Sequence, residues 1–221
     1  MTNKKVNIDV NEPVLGRNDS IAADNRNQFE REKVLPINVL SSPGSGKTAI
    51  LERTLDDLRG KLRIGVIVGD LQTDNDARRL AGKDAPVYQI NTNDICHLEA
   101  KMVQRALKQF NLNELDILFI ENVGNLVCPS SFDLGEKLRV GILSVTEGED
   151  KPLKYPTLFK TCDAVLVNKM DIANAVGFQE DVAIRNLHAI TPRAEIIKIS
   201  ARTGQGMDVW YDYLQARLHE M

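Results

Sequence analysis

The segment SSPGSGKT, at residues 41–48, constrains the fold of this 221-residue chain more than any other feature. It follows an apolar run at 35–41 and precedes a stretch with helical periodicity at 49–59. Glycines let the backbone of such a loop fold tightly, so that its amide groups and the helix N-terminus face one anion. The usual pattern is GxxxxGK[ST], and Ser41 replaces its first glycine. The context predicts a nucleotide-phosphate loop (P-loop) between a buried strand and a helix.

Short apolar runs alternate with amphipathic stretches from Leu35 to the end of the chain. The runs lie at 35–41, 62–69, 86–90, 116–122, 139–145, 164–169 and 195–200. Nearly continuous Val, Ile and Leu residues are typical of strands that are buried on both faces of a parallel sheet. We therefore predict an α/β fold of the P-loop NTPase class, with a doubly wound, mostly parallel sheet. Its ligand would bind at the carboxyl ends of the strands.

The N-terminal region has a different character. Residues 1–20 are polar and include Pro13 and Gly16, which predicts a loosely held arm, and residues 20–33 have the composition of a helix. This divides the chain into an arm with a helix at 1–33 and a P-loop domain at 34–221.

The net charge and the cysteine content bear on the partners and the cellular location of the protein. The net charge of -3 gives no basic surplus for binding nucleic acid, so no nucleic-acid partner is expected. No apolar run is long enough to span a bilayer, and the polar start does not resemble a signal peptide. Three cysteines make a poor disulfide framework. We expect a cytoplasmic protein without a membrane partner.

The P-loop residues have distinct predicted roles. Lys47 would reach the β- and γ-phosphates, and the Thr48 hydroxyl would bind Mg²⁺. The predicted phosphate contacts of this loop are Gly44, Ser45, Gly46, Lys47, Thr48 and Ala49.

Acidic residues follow two of the predicted strands. Asp70 follows the run at 62–69, and Glu121 follows DILFI, at 116–120. Carboxylates at strand ends beside a P-loop are expected to bind Mg²⁺ and water. Asp74 and Asp76 follow on a loop that would respond to nucleotide, although each of these acids also suits a solvated loop. The predicted magnesium set is Thr48, Asp70, Asp76 and Glu121, and the predicted catalytic set is Lys47, Thr48, Asp70 and Glu121.

The segment ENVG, at 121–124, resembles the DxxG element of GTPases, with Glu121 in the position of the aspartate. By this resemblance, Gly124 would offer its N–H to the γ-phosphate.

The segment NKMD, at 168–171, follows a predicted buried strand and indicates the base. The Asp171 carboxylate can accept both N1–H and the exocyclic amine of guanine, and adenine offers neither in that arrangement. Asn168 would bond the N7 side, and the Lys169 stem would cover the ring. Ser200 and Ala201 begin an element that resembles SAK, which supports guanine O6 through a backbone N–H; Arg202 replaces its lysine. The prediction is GTP/GDP, and a small-molecule kinase would not need NKxD.

Cys96, His97 and Cys128 form a second candidate site. Cys96 lies where a helix is predicted from Leu98, and a helix N-terminus lowers a thiol pKa. Two thiolates and an imidazole suit Zn²⁺ or Ni²⁺. Three donors do not close a structural zinc site, so water or a second subunit across a two-fold axis would complete it. The alternative is that both cysteines are small buried hydrophobes and His97 is a hydrogen bonder at a helix start. Cys162 is predicted to lie in the core.

Taken together, these motifs resemble the HypB family of GTPases, which assist nickel insertion during [NiFe]-hydrogenase maturation. The resemblance runs from about residue 25 to the end and is carried by SPGSGKT, GDLQTDNDA, CHLEA, FIENVGNLVCP, SVTEGEDKPLKYP, NKMD and SARTGQGM. ENVGNLVCP together with CHLEA distinguishes this family from the related urease accessory GTPase UreG and from signal-recognition-type GTPases.

The resemblance implies a metal site of Cys96, His97 and Cys128 near a nucleotide- and metal-dependent homodimer interface. It also implies slow GTP hydrolysis, a HypA-type nickel metallochaperone as partner, and delivery of nickel to the hydrogenase large-subunit precursor. Many family members carry an N-terminal CxxCGC motif or a histidine-rich stretch, and this sequence has neither. N-terminal metal binding and nickel storage are therefore not expected.

Our hypothesis is a metal-coupled GTPase switch. GTP with Mg²⁺ would order the segments 70–76 and 121–128, and Gly124 lies only four residues before Cys128. Hydrolysis would then change metal ligation or dimer geometry. The alternatives are a nucleotide-regulated scaffold that docks partner proteins, with structural cysteines, and a related accessory GTPase for another nickel enzyme.

Overall fold

The structure, a computed structural model, describes residues 14–70, 75–93 and 95–221. Its strands are β1 Leu35–Ser41, β2 Ile64–Asp70, β3 Val87–Asn91, β4 Ile117–Glu121, β5 Leu138–Ser144, β6 Ala164–Asn168 and β7 Glu195–Lys198. Its α-helices are α1 Val14–Glu32, α2 Lys47–Asp57, α3 Asn75–Ala81, α4 Ala100–Leu107, α5 Lys151–Lys154, α6 Pro156–Lys160, α7 Glu180–Ile190 and α8 Met207–His219. None of these helices is both long and apolar enough to cross a bilayer.

The seven strands form one sheet in the order β3-β2-β4-β1-β5-β6-β7, and every neighbouring pair is parallel. Each predicted run matches a strand to within two residues at either end. Strands β1, β4 and β6 are buried along their whole length, as expected for a sheet with helices on both faces. Thus the predicted doubly wound α/β fold is confirmed.

Successive side chains of β4 point to opposite faces of the sheet. Phe119 packs in the same apolar cluster as Trp210 of α8, and the Trp210 indole donates to Thr54 Oγ1 of α2 at 3.2 Å. Leu118 and Ile120 point to the other face, where they join Phe29 of α1 and residues of α4. Helices α2 and α8 therefore cover one face over β4, while α1 and α4 cover the opposite one.

Helix α1 begins at Val14, so the prediction of a loose arm reaching to residue 20 was wrong for residues 14–20. Its buried positions are Asn18, Ala22, Asn25 and Phe29, a spacing of four, three and four that places them on one helix face. Packing of this face on the domain outweighs the low helix propensity of Gly16. Residues 1–13 of the predicted arm lie outside the described residues.

Candidate nucleotide and metal sites

The P-loop connects β1 to α2 through two glycines with left-handed backbone. Gly44 has φ 72° and Gly46 has φ 103°, and Gly46 is the residue that precedes α2. A Cβ at Gly46 would collide with the side-chain amide of Asn168. Position 46 therefore requires a glycine, both for its backbone conformation and because the Asn168 side chain lies so close to it.

The Lys47 side chain is bonded to Ser41, the residue that departs from the usual pattern. The Lys47 ammonium donates to Ser41 Oγ at 3.0 Å, and Ser45 Oγ donates to the same oxygen at 2.5 Å. Only 9% of Lys47 is exposed, and burial lowers its pKa, although the charge of Glu121 acts in the opposite direction. Ser41 thus has a function that the sequence pattern did not reveal. Its Oγ accepts a hydrogen bond from the Lys47 ammonium group, which a glycine could not do because it has no side chain.

The predicted phosphate and magnesium residues, with the exception of Ser45, line one cavity of about 440 Å³. It brings together Gly44, Gly46, Lys47, Thr48, Ala49, Asp70, Asp76, Glu121 and Gly124. The Ser45 side chain is instead buried and bonded to Ser41. Thr48 Oγ1 donates to Glu121 Oε1 at 2.7 Å, while Asp76 lies 3.6 Å from Arg79 Nη1. The sequence-predicted group is therefore gathered at the carboxyl ends of β2 and β4. Asp74 lies outside the described residues.

The surroundings of the Glu121 carboxyl group fit a cation ligand. Its side chain is buried, and its Oε2 atom has no hydrogen-bond partner within the described residues. Burial raises the pKa of Glu121 from 4.5 to about 7, and Lys47 and Thr48 offset part of this rise. An orphaned carboxylate oxygen beside a threonine hydroxyl fits the hard oxygen ligands that Mg²⁺ prefers.

We expect Glu121 to make the stability of the nucleotide-free protein depend on pH. Because its folded pKa lies above its unfolded one, its contribution is fully present below about pH 4.5 and is lost as the pH rises through about 7. Glu121→Gln should therefore be more stable than wild type at pH 8 by on the order of 2–3 kcal/mol, and nearly equal at pH 4.5. Urea unfolding without Mg²⁺ measures this; parallel pH profiles for the two proteins would contradict it.

Gly124 lies directly against the P-loop. A Cβ at Gly124 would lie 3.0 Å from the backbone nitrogen and Cα of Pro43, closer than an ordinary contact allows. The backbone of the ENVG element is therefore packed on the P-loop. The bond from the Gly124 N–H to the terminal phosphate stays a prediction.

The two loops that are predicted to bind the base are hydrogen bonded to the P-loop and to each other. Asn168 Nδ2 donates to Ser45 O at 2.9 Å, and Asn168 Oδ1 accepts from Ala201 N at 3.2 Å. Lys169, with φ 68°, donates from Nζ to Gly44 O at 2.7 Å. Asn168 is therefore the central link between the P-loop, its own loop and the loop at Ala201.

Asp171 is oriented by the two polar side chains of the SAR element. Its Oδ1 accepts from Ser200 Oγ at 2.5 Å, and its Oδ2 accepts from Arg202 Nε at 2.9 Å and Nη2 at 2.7 Å. These two partners hold the pKa of Asp171 below its usual range. The carboxylate is thus ionised and acts only as an acceptor, as recognition of guanine requires. Sequence reasoning did not foresee the direct contact with Arg202.

The second candidate site is a cluster of three side chains, those of Cys96, His97 and Cys128. Their ligand atoms all lie within 4.8 Å of one another, and all three residues are half-buried. Neither nitrogen of His97 has a hydrogen-bond partner among the described residues, and its ring stacks on Phe132 with centroids 3.9 Å apart. Two sulfurs and an unpartnered imidazole fit a Zn²⁺ or Ni²⁺ ion. Cys162 is buried in the core, as predicted.

The expected lowering of the Cys96 thiol pKa was wrong. Helix α4 begins at Ala100, four residues beyond Cys96, so the positive end of the helix does not act on this sulfur. The neighbouring Cys128 sulfur and burial instead raise the pKa of Cys96. Burial also lowers the pKa of His97, which favours the neutral imidazole that binds metals. A cation between the two sulfurs would supply the charge that favours their thiolate forms.

One segment joins the two sites. Glu121 lines the nucleotide cavity, and seven residues later Cys128 belongs to the cysteine-histidine group. Between them, the buried Asn122 accepts hydrogen bonds from Leu98 N at 3.2 Å and Val123 N at 2.9 Å. The end of β4 therefore contacts the residue that follows His97, in addition to its covalent path to Cys128.

Comparison with known proteins identifies the family. Residues 36–198 match the family described as CobW/HypB/UreG, nucleotide-binding domain. The chain is 49% identical over 208 residues to the hydrogenase maturation factor HypB of Rhizobium leguminosarum bv. viciae, covering 94% of this chain and 70% of that protein. The chain belongs to the HypB family. This confirms the resemblance that the motifs carried.

Solved HypB structures share the fold of this chain. HypB from Archaeoglobus fulgidus superposes with a TM-score of 0.87 at 38% identity, covering 92% of this chain and 100% of that one. HypB from Helicobacter pylori, solved in complex with nickel, superposes with a TM-score of 0.87 at 39% identity, covering 92% of this chain and 96% of that one. The shared fold thus extends over most of the chain.

Proposed function

We propose that this HypB family member is a metal-binding GTPase that assists nickel insertion into the [NiFe]-hydrogenase large subunit. GTP hydrolysis would switch the state of its metal site and of a homodimer. The observation that carries the proposal is the segment 121–128, which has Glu121 in the nucleotide cavity and Cys128 in the cysteine-histidine group.

The nucleotide cavity supplies groups for phosphoryl transfer from GTP to water. Lys47 would neutralise the β- and γ-phosphates, and the Gly124 N–H would bond the γ-phosphate. Mg²⁺, held by Thr48 with Glu121, Asp70 and Asp76, would offset charge that develops on the phosphate oxygens. Asp171 and Asn168 would select guanine. Loss of the terminal phosphate would remove the contact at Gly124, four residues before Cys128.

The cysteine-histidine group would bind the cargo metal. Nickel is favoured because the related Helicobacter pylori HypB was solved with nickel, although the donor set also accepts Zn²⁺. Three donors leave an open coordination position, which a water or a second subunit related by a two-fold axis would fill. A HypA-type metallochaperone would exchange nickel at this site. Because Cys96 and Cys128 must remain thiols, we place the protein in the reducing cytoplasm.

A cysteine substitution tests whether the group binds metal. Cys128→Ser should weaken Ni²⁺ binding by at least about tenfold and remove the thiolate-to-nickel absorption, because a sulfur ligand is lost. GTP affinity should stay unchanged, since Cys128 does not line the nucleotide cavity. Cys162→Ala is the matched control, because this buried thiol lies in the core.

The readout is equilibrium dialysis with absorption spectra, combined with competition between GTP and ATP. Unchanged nickel stoichiometry in Cys128→Ser would contradict the metal site and favour a nucleotide-regulated scaffold with structural cysteines. Preference for ATP would contradict the guanine site.

A further inference from the structure

Two asparagines of α1 each connect the two chain segments that carry the metal ligands. Asn18 Oδ1 accepts from Ala100 N at 2.9 Å, while its Nδ2 donates to Asp133 O at 2.8 Å. Asn25 Nδ2 donates to Ala100 O and to Leu134 O, both at 3.0 Å. Each side chain is thus bonded once to the segment after His97 and once to the segment after Cys128.

The burial of these amides indicates a specific role. Asn18 is 6% exposed and Asn25 is fully buried, and they alternate with Ala22 and Phe29 along the buried face of α1. Buried amides are unfavourable unless they are hydrogen bonded, and apolar residues would serve packing alone. Here the two asparagines hold both the N–H and the C=O of Ala100, the first residue of α4.

The second segment is held closely against α1. Gly135 has φ 89°, and a Cβ there would lie 2.6 Å from Ala22 O and 2.7 Å from Asn25 Cβ. On the ligand side of this segment, Phe132 stacks on His97. The segment 128–135 therefore contacts α1 at one end and the imidazole near the middle, with Cys128 at its other end.

We propose that Asn18 and Asn25 are positioning residues for the metal site. By bonding both segments, they fix the distance from Cys128 to the other two ligands, Cys96 and His97. The inference rests on the proposed metal-binding function of this cysteine-histidine group. Groups that orient metal ligands from outside the coordination sphere commonly affect affinity strongly. In this chain, that outer layer is a helix more than 60 residues before the first ligand in sequence.

Substitution of one bridge, with a neighbouring control, tests the inference. Asn25→Ala should weaken Ni²⁺ binding by about 10- to 100-fold and shift the thiolate-to-nickel absorption, because the ligands lose their fixed separation. GDP affinity should be unchanged, since Asn25 does not line the nucleotide cavity. Arg26→Gln is the matched control, because Arg26 is adjacent on α1 and, among the described residues, its ion pair is with Asp133 of the second segment and not with the first segment. Its pair is partly exposed to solvent, so nickel affinity should change less than about threefold.

A second variant covers the possibility that Asn25→Ala does not fold. Asn18→Ala leaves both bonds of Asn25 in place and should weaken Ni²⁺ binding about tenfold with GDP affinity intact. The inference is overturned if both alanine variants bind nickel as wild type does while Cys128→Ser does not. It is also overturned if both variants lose GDP and nickel binding together, which is the result of a purely structural role. If Cys128→Ser itself binds nickel normally, the proposed function fails instead.

Discussion

Lys47→Met is expected to weaken GTP binding by about 10²- to 10³-fold and to reduce hydrolysis at least as much, because it removes the one buried cation of the P-loop among the described residues. Methionine keeps most of the apolar stem, so the packing of α2 should survive. The Glu121 carboxyl would lose the charge that favours its ionised form and would be protonated over a wider pH range. Fluorescent-nucleotide titration and phosphate release measure the two effects.

Two observations separate loss of phosphate binding from loss of fold. Lys160→Met removes the same charge at an exposed position of α6 and should bind GTP as wild type does. Nickel affinity of nucleotide-free Lys47→Met should equal that of wild type, because Lys47 is not part of the cysteine-histidine group. GTP affinity within about threefold of wild type would show that Lys47 does not contact the phosphates.

Asp171→Asn is expected to change the base that the protein selects. The carboxylate offers two acceptor oxygens to guanine, whereas an amide offers one acceptor and places its N–H₂ against a guanine donor. Loss of one charge-assisted bond, weakening of the other to a neutral bond and the clash between two N–H donors should together weaken GTP binding by about 10²- to 10⁴-fold. Xanthosine triphosphate carries a carbonyl at C2, so the new amide can donate to it and its affinity should rise above that of GTP.

Competition among GTP, xanthosine triphosphate and ATP measures this change of selectivity. Asp181→Asn, an exposed acid at the start of α7, is the control for the lost negative charge and should retain GTP preference. Equal losses for all three nucleotides would mean that Asp171 organises the loop through Ser200 and Arg202 without reading the base.

The sheet and the nucleotide cavity were largely predictable because each depends on local patterns. Continuous apolar runs mark strands that are buried on both faces, and the carboxyl ends of parallel strands meet at one edge. The strand pattern alone therefore predicts that Thr48 and Glu121, which are 73 residues apart in sequence, lie close together. In the structure, their side chains are hydrogen bonded at 2.7 Å. Asn168 likewise reaches Ser45, because Asn168 ends β6 and Ser45 lies in the loop after β1 of the same sheet.

Other features depend on tertiary contacts that no local pattern contains. Helix α1 looked like an arm over residues 14–20 because Gly16 and polar residues lower its intrinsic helix propensity, while the packing of its face on the domain determines the outcome. The repeat of Asn18, Ala22, Asn25 and Phe29 at helical spacing was the available signal. The Cys96 pKa was mispredicted because the start of α4 lies at Ala100, and helix ends are the least certain part of a sequence prediction.

Contacts at the end of β4 connect the nucleotide cavity to the cysteine-histidine group. Glu121 bonds Thr48 in the cavity, Asn122 bonds the residue after His97, and the chain reaches Cys128 shortly afterwards. A ligand at one site shifts the other only if it binds two states with different free energies, and the same coupling then acts in both directions.

Titration of the full chain with Ni²⁺, once with GDP and once with a non-hydrolysable GTP analogue, tests this coupling most directly. Light scattering on the same samples follows the oligomeric state. We expect nickel affinities that differ by at least about fivefold between the two nucleotide states, with a nucleotide-dependent change in mass. Equal nickel affinities and equal masses in both states would contradict the metal-coupled switch.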